Sequence, residues 1–276
     1  MRAAVADIEP IARTVAFRLA PELAARWNGG SIVRSALLNA LSIFLPAGEN
    51  FFVRTVRATQ AAGCADARGV NTFVVQESAH RRQHELYNAC LQQRFPSTGR
   101  WLWYMDRSWA FKSAMMSPRA RLAATVAIEH LTTLMARLVL SERSAIEGAD
   151  LEYASLWRWH ALEELEHKSV AFQLYFAQGG SRRRLMLMMI IVSAVFAVEF
   201  LCVLAALLGD QKRLYRRQTR QDLRAIWRSR AAREARAGYV TFFAKAFSPA
   251  LVDDSDLVLR WRSDAVLAAH FLKPRN

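Results

Sequence analysis

Two stretches of this sequence place carboxylates and imidazoles on helix faces that also carry apolar side chains. At about 100° per residue, Glu77, His80 and His84 fall on one side of a helix. The second stretch repeats this pattern with His160, Glu164 and His167. Their expected buried neighbours are Phe73, Val74, Leu86, Leu162, Val170 and Phe172. Burying ionisable groups is costly unless they are paired or bind metal, so these faces must meet suitable partners in the fold.

The remaining sequence is typical of a helical protein. Only 11 Gly and 7 Pro occur in 276 residues, and a hydrophobic content of 53% excludes a disordered chain. No strand-like alternation stands out. We expect long helices at 31–62 (broken near Pro46), 72–94, Pro118 to about 146, and 152–177. The aromatic run 101–109 is a shorter helix or a packed loop.

The two other long helices each supply one carboxylate in an apolar setting, Glu49 and Glu129. One Glu from each of two helices, with a Glu-x-x-His pair from each of the other two, is the ligand set of a dinuclear site in a four-helix bundle. Oxygen and nitrogen ligands without thiolate favour Fe or Mn, and Zn is an alternative. The sequence therefore predicts an all-α, ferritin-like four-helix bundle that binds two metal ions, with iron preferred.

This pattern predicts six metal ligands: Glu49, Glu77, His80, Glu129, Glu164 and His167. His84 and His130 are expected to be hydrogen-bonding partners of the ligands or core histidines, rather than direct ligands. No catalytic residue beyond the metal ligands is predicted.

Three long motifs closely resemble the bacterial family of predicted transition-metal-dependent hydrolases. They are Phe44-Leu-Pro-Ala-Gly-Glu-Asn-Phe-Phe52, Gln76-Glu-Ser-Ala-His-Arg-Arg-Gln-His84 and Trp159-His-Ala-Leu-Glu-Glu-Leu-Glu-His-Lys-Ser-Val-Ala-Phe172. The resemblance extends over about residues 30–210 and implies metal-dependent hydrolysis.

The order of the ligands also resembles that of the ferritin-like di-iron N-oxygenases, of which p-aminobenzoate N-oxygenase is the model. This second resemblance covers the site only. It implies a seventh ligand, an additional histidine, at His160. His84 has no counterpart in the N-oxygenase pattern.

Three functions follow as hypotheses. The main one is a di-iron oxygenase or oxidase that uses an electron donor and acts on an apolar or amine-bearing small molecule, because seven protein ligands leave few open positions for water. The first alternative is a hydrolase that uses a metal-bound hydroxide. The second alternative is a non-catalytic metal-binding protein.

An apolar segment, Leu185 to Leu208, follows the predicted bundle, and Glu199 is its only charged residue. Its length in a helix, about 36 Å, is enough to span a bilayer. Positive charge on both sides disfavours a single span. We therefore expect the segment to lie in the membrane interface, to enter and return, or to bury against a second copy of the chain; burial in the bundle is the alternative.

The net charge of +14 is concentrated after this segment, because residues 212–236 hold ten Lys/Arg and two acidic residues. We expect a basic amphipathic helix there that contacts an anionic membrane surface. Nucleic acid is disfavoured because no docking fold is recognisable. The predicted domains are 1–180, the four-helix core, and 181–276, a helical extension packed on it.

The expected location is the cytoplasm, with peripheral association on the inner face of the membrane. Residues 1–9 lack the apolar core of a secretion signal. The three cysteines, Cys64, Cys90 and Cys202, are scattered, which is typical of a reducing compartment.

Overall fold

The computed structural model describes residues 8–61, 67–141 and 145–272, and these form helices, turns and two isolated β-bridges. The α-helices are α1 (Ile32–Ala61), α2 (Ala67–Arg94), α3 (Thr98–Met115), α4 (Pro118–Leu140), α5 (Leu151–His167), α6 (Val170–Ala177), α7 (Arg182–Asp210), α8 (Arg217–Arg228), α9 (Arg230–Thr241), α10 (Ser255–Arg262) and α11 (Ala265–Ala268). The all-α prediction is confirmed. Cys64 and residues 1–7 lie outside the described residues. The expectations for this cysteine and for the absence of a secretion signal therefore stay predictions.

Helices α1, α2, α4 and α5 form the predicted four-helix bundle. Around the bundle, α1 packs on α2, α2 on α5, α5 on α4, and α4 on α1. Two apolar clusters fill its interior, one containing Phe44 and Leu162 and the other containing Phe51 and Phe73. On α1, Glu49 lies between the residues that belong to these two clusters. The carboxylate of Glu49 therefore belongs to a level of the bundle between two apolar ends.

Helix α1 continues through Pro46, so the predicted break there was wrong. Proline has no N–H, which leaves the carbonyl of Ser42, one turn earlier, without its helical donor. The side-chain amide of Asn88 on α2 donates to this carbonyl at 2.8 Å. A neighbouring helix thus supplies the hydrogen bond that proline removes.

The predicted helix 152–177 is divided into α5 and α6 at Lys168 and Ser169. The ammonium of Lys168 reaches Asp254 at 2.5 Å, and Arg137 of α4 donates two hydrogen bonds of 2.8 Å to the same carboxylate. This ion cluster joins the end of α5 to the segment before α10. Leu86 was predicted to be buried but is 55% exposed, because it projects from the face of α2 opposite His84.

The predicted basic helix 212–236 is also divided, into α8 and α9. Ser229 separates them, and its hydroxyl accepts a hydrogen bond from the Ala232 N–H, which caps the first turn of α9. Helix α4 begins at Pro118 with Ser117 as its N-cap, as predicted, but it ends at Leu140 rather than near residue 146.

Three described helices, α1, α4 and α7, are long and apolar enough to cross a membrane, judged by length and composition alone. The apolar windows of α1 and α4 are mostly buried inside the protein, whereas only 22% of the window in α7 is buried. Helix α7 packs across α1 and α4, with α3 on α1 and α9 on α4. Helix α7 contains the segment that was expected to contact either a membrane or the core. One side of this helix is buried in the core and the other side is exposed.

Candidate metal centre

Three overlapping groups of carboxylates and imidazoles lie at the centre of the bundle. Within each group the potential ligand atoms are no more than 4.8 Å apart. The groups are Glu49 with His80 and His160, Glu77 with His80 and Glu164, and Glu77 with Glu129 and His167. All these side chains are buried. The fold thus brings together all seven residues that the sequence proposed as ligands.

Glu77 and Glu164 lie between the two ends of this cluster. The Oε1 atom of Glu77 is 3.2 Å from Nε2 of His167 and 3.7 Å from Nδ1 of His80. The carboxylate of Glu164 lies 3.2 Å from Nε2 of His160 and 3.7 Å from Nε2 of His167. Each carboxylate therefore faces imidazoles at both ends of the cluster.

Several atoms that point into the cluster have no hydrogen-bond partner among the described residues. They are both carboxylate oxygens of Glu49, Glu77 and Glu129, Nδ1 of His80 and Nε2 of His167. Leaving such groups buried without a partner destabilises a fold by about 1–3 kcal/mol each, and more when they are charged. Metal ions satisfy oxygen and imidazole donors of this kind, and the set suits Fe, Mn or Zn. The residues present therefore fit bound metal ions.

The outward nitrogens of two imidazoles are held by residues that the sequence analysis missed. The Nε2–H of His80 donates to Glu163 at 3.1 Å, and the Nδ1–H of His167 donates to the amide oxygen of Gln76 at 3.0 Å. These bonds leave the other ring nitrogen facing the cluster, as a metal ligand requires. Glu163 and Gln76 each directly precede the Glu of a Glu-x-x-His pair, a regularity that could have identified them.

An arginine from the N-terminal segment completes this outer shell. Arg13 contacts Glu163 at 3.3 Å and Glu166 at 2.7 Å, and all three side chains are almost fully buried. Glu166 also accepts hydrogen bonds from Gln76 at 3.1 Å and Arg262 at 2.8 Å. The negative charge behind the imidazoles is therefore balanced by two arginines that are far away in sequence.

The third imidazole, His160, is oriented by a chain of hydrogen bonds that begins at the proline in α1. Asn88 uses its N–H₂ on the Ser42 carbonyl, so its Oδ1 atom accepts from the Ser42 hydroxyl at 2.9 Å. The hydroxyl must then accept from Nδ1 of His84, at 2.9 Å. Nε2 of His84 is left as the acceptor for Nδ1–H of His160, at 3.0 Å. This chain keeps Nε2 of His160 free to bind a metal.

His130 does not join the cluster. Its Nε2 atom lies 3.3 Å from the Gly238 carbonyl, and its ring packs between Phe242 and Phe247. Burial lowers the pKa of His130 to about 4, so this histidine is neutral at physiological pH. It is a core residue beside α9.

Burial and neighbouring charges shift the pKa values of several groups in the metal-free cluster. Burial and the charge of Glu77 raise the pKa of Glu49 well above its usual value, and burial with the charge of Glu164 raises the pKa of Glu129 to about 8. Burial lowers the pKa of His80, but Glu163 and Glu77 outweigh it and raise this pKa to about 10. Metal binding would therefore release protons from the cluster, and metal affinity should rise with pH.

Replacing His84 by phenylalanine should weaken metal binding by about tenfold to a hundredfold without abolishing it, because it removes the group that orients His160. Metal titration of the stripped protein measures this. The matched control is His130→Phe, which alters another buried histidine outside the cluster and should leave the affinity unchanged. An equal loss in both variants would show that His84 acts only through general packing.

Aromatic rings enclose the cluster. Trp159 meets His80 edge-on with ring centroids 4.8 Å apart, and Phe73 meets His167 in the same way at 4.8 Å. Both aromatic side chains are fully buried. They limit the access of water to the imidazoles and keep their rings in place.

Comparison with known proteins supports a metal-dependent role. Neither the curated proteins nor the solved structures give a match to this chain. The model of a family described as predicted metal-dependent hydrolase matches residues 11–253, which include every residue of the three groups. The chain belongs to this family of predicted metal-dependent hydrolases.

Proposed function

We propose that the protein is a hydrolase that depends on two metal ions held by Glu49, Glu77, His80, Glu129, His160, Glu164 and His167. The observation that carries the proposal is the set of buried carboxylate and imidazole atoms without hydrogen-bond partners in three overlapping groups. The family match favours hydrolysis. Oxygen activation, which the sequence alone favoured, becomes the second candidate.

Two bound divalent ions would polarise a substrate oxygen and lower the pKa of a coordinated water. The protein's own contribution is positioning. Glu163 and Gln76 hold the rings of His80 and His167 so that one nitrogen of each faces the carboxylates. Thr132 donates a hydrogen bond to Glu164, which helps to hold this carboxylate between the two ends of the cluster.

The test is to strip the protein of metal, reload it separately with Zn, Mn or Fe, and assay ester, amide and phosphoester substrates. We expect hydrolysis of one of these classes to return with metal and to fall by at least about a thousandfold in Glu164→Gln, because ligand loss removes the metal-dependent chemistry. Glu85→Gln, an exposed change on α2, is the control. Hydrolysis that persists fully without metal would refute the proposal.

The second candidate, an oxygenase or oxidase, is favoured by one feature of the cluster. His80 and His160 stack with ring centroids 4.2 Å apart beside Glu49, which gives one end two imidazoles and no thiolate. Such a set is compatible with iron, as it is with Mn or Zn. If the iron-loaded protein, supplied with a reductant, consumes oxygen while no loaded form hydrolyses any substrate, this candidate replaces hydrolysis.

A further inference from the structure

One face of α7 is apolar and open to solvent along about half of its length. Its exposed residues include Leu187, Ile190, Ile191, Val195, Val198 and Leu201. The opposite face is buried against α1 and α4 through Leu185, Met189, Val203, Leu204, Leu207 and Leu208. At 1.5 Å per residue, the exposed stripe extends for about 20 Å. Soluble monomers rarely leave apolar surface of this extent uncovered.

The only acidic residue within this apolar segment is neutralised. The carboxylate oxygens of Glu199 accept hydrogen bonds from the Lys112 ammonium of α3 at 2.7 and 2.9 Å. They also accept hydrogen bonds from the hydroxyls of Tyr104 at 3.0 Å and Ser108 at 3.1 Å. Its charge is thus directed toward α3 and away from the exposed face. The stripe carries no unpaired negative charge among the described residues.

Helix α3 adds to the apolar surface beside α7. Ser97 at the start of α3 contacts Asp210 at the end of α7, while Lys112 contacts Glu199, so the two helices run in opposite directions. Trp103, Phe111 and Met115 on α3 are exposed, the last two by 68% and 74%. We call the exposed apolar residues of α3 and α7 the outer apolar surface.

Helices α8 and α9 return along α7 and carry the excess positive charge. At one end, the Arg213 N–H bonds to the Leu208 carbonyl at 2.8 Å. At the other end, Arg182 donates to the Phe242 carbonyl and lies over its ring. We call residues 212–236 the basic arm. Its exposed basic residues include Arg216, Arg217, Arg220, Arg224, Arg228, Arg230 and Arg233. The chain therefore carries exposed arginines between two points of contact with opposite ends of α7.

We propose that the outer apolar surface and the basic arm bind the surface of an anionic phospholipid membrane, with α7 lying along the membrane without crossing it. Apolar exposure bordered by arginines complements lipid with acidic headgroups. Trp103 and Trp227 are exposed, and tryptophan favours the headgroup region. A membrane-spanning position of α7 is disfavoured because it would break the contacts of its buried face with α1 and α4. These two helices carry Glu49 and Glu129.

A second copy of the chain fits this surface less well. A symmetric dimer brings the same patch of both molecules together. Such a dimer would bring two strongly positive segments into one assembly, because residues 212–236 carry ten basic residues against two acidic ones in each chain. Lipid phosphates instead neutralise this charge.

The experiment is cosedimentation of the full-length, metal-loaded protein with vesicles of phosphatidylcholine alone or mixed with phosphatidylserine. We expect strong binding only to the mixed vesicles, weakened by salt. Ile191→Glu/Val198→Glu should reduce binding by at least tenfold, and Arg217→Gln/Arg220→Gln/Arg224→Gln by about a hundredfold. The matched control, Val75→Glu/Leu86→Glu, changes two similarly exposed apolar residues of α2 and should bind like the unaltered protein.

Circular dichroism and metal content establish that each variant is folded. Equal binding to both kinds of vesicle, or equal loss in the α2 control, would overturn the proposal. A dimer in solution that Ile191→Glu/Val198→Glu dissociates, with no binding to either vesicle, would assign the surface to a second copy instead.

Discussion

Glu77→Gln will lower the metal content of the reconstituted protein from the proposed two ions per chain to less than one. The carboxylate of Glu77 lies between His80 and His167, whose ring centroids are 6.0 Å apart, and it belongs to two of the three ligand groups. Its loss weakens both metal positions at once. Changes to residues that only orient ligands weaken affinity by about tenfold to a hundredfold, so loss of a shared ligand should exceed about a hundredfold.

Elemental analysis after reconstitution measures this stoichiometry. Glu85→Gln on the same helix is the control, because Glu85 is exposed and pairs with Arg81 at 2.8 Å on the surface. A content that stays at two in Glu77→Gln would place the metals elsewhere. A content of one in the unaltered protein would replace the dinuclear centre by a mononuclear one.

Loading with metal will raise the melting temperature of the protein by about 10 °C or more, because two ions at about a hundred times their Kd each add about 2.7 kcal/mol to the folded state. Glu49→Gln will change this response in two ways. Without metal, the variant will melt about 5 °C above the unaltered protein. With metal, it will gain less.

The reason is that both oxygens of Glu49 are buried without a hydrogen-bond partner among the described residues. Its pKa is raised well above its usual value by burial and by Glu77, so the folded protein holds this proton over a pH range in which the unfolded chain has already released it. The contribution of protonated Glu49 to the stability of the metal-free protein is therefore present at low pH and is lost as the pH rises. Glutamine has no proton to lose, so its contribution does not change with pH.

Calorimetry of the metal-free and loaded forms tests the prediction. In Glu85→Gln, we expect neither a higher melting temperature without metal nor a smaller increase on metal loading. A lower melting temperature for metal-free Glu49→Gln than for the metal-free parent would mean that the carboxylate makes a favourable contact in the absence of metal.

Several helix boundaries required more than the local sequence. Pro46 predicted a break in α1, but Asn88 of another helix replaces the lost hydrogen bond. The pattern at 152–177 read as one helix, but it divides at Lys168, whose ammonium reaches Asp254 of the C-terminal region. In both places a residue distant in sequence contributes the interaction, and no local pattern reveals it.

The sequence by itself determined the helical class and the faces that carry the candidate ligands. The spacings of Glu77 with His80 and of Glu164 with His167 place each pair on one side of a helix, because the helical repeat is a property of the backbone. The apolar residues around them require those sides to be buried. From these two constraints, a bundle with carboxylates and imidazoles at its centre follows.

Only the tertiary structure decided how these groups are arranged. It placed His160 beside Glu49 and His80, linked His84 to Ser42, and brought Arg13 to Glu163 across 150 residues. It also left one side of α7 uncovered. Helical periodicity fixes the direction of a side chain relative to its own axis, but the rotation and offset between helices decide which atoms meet.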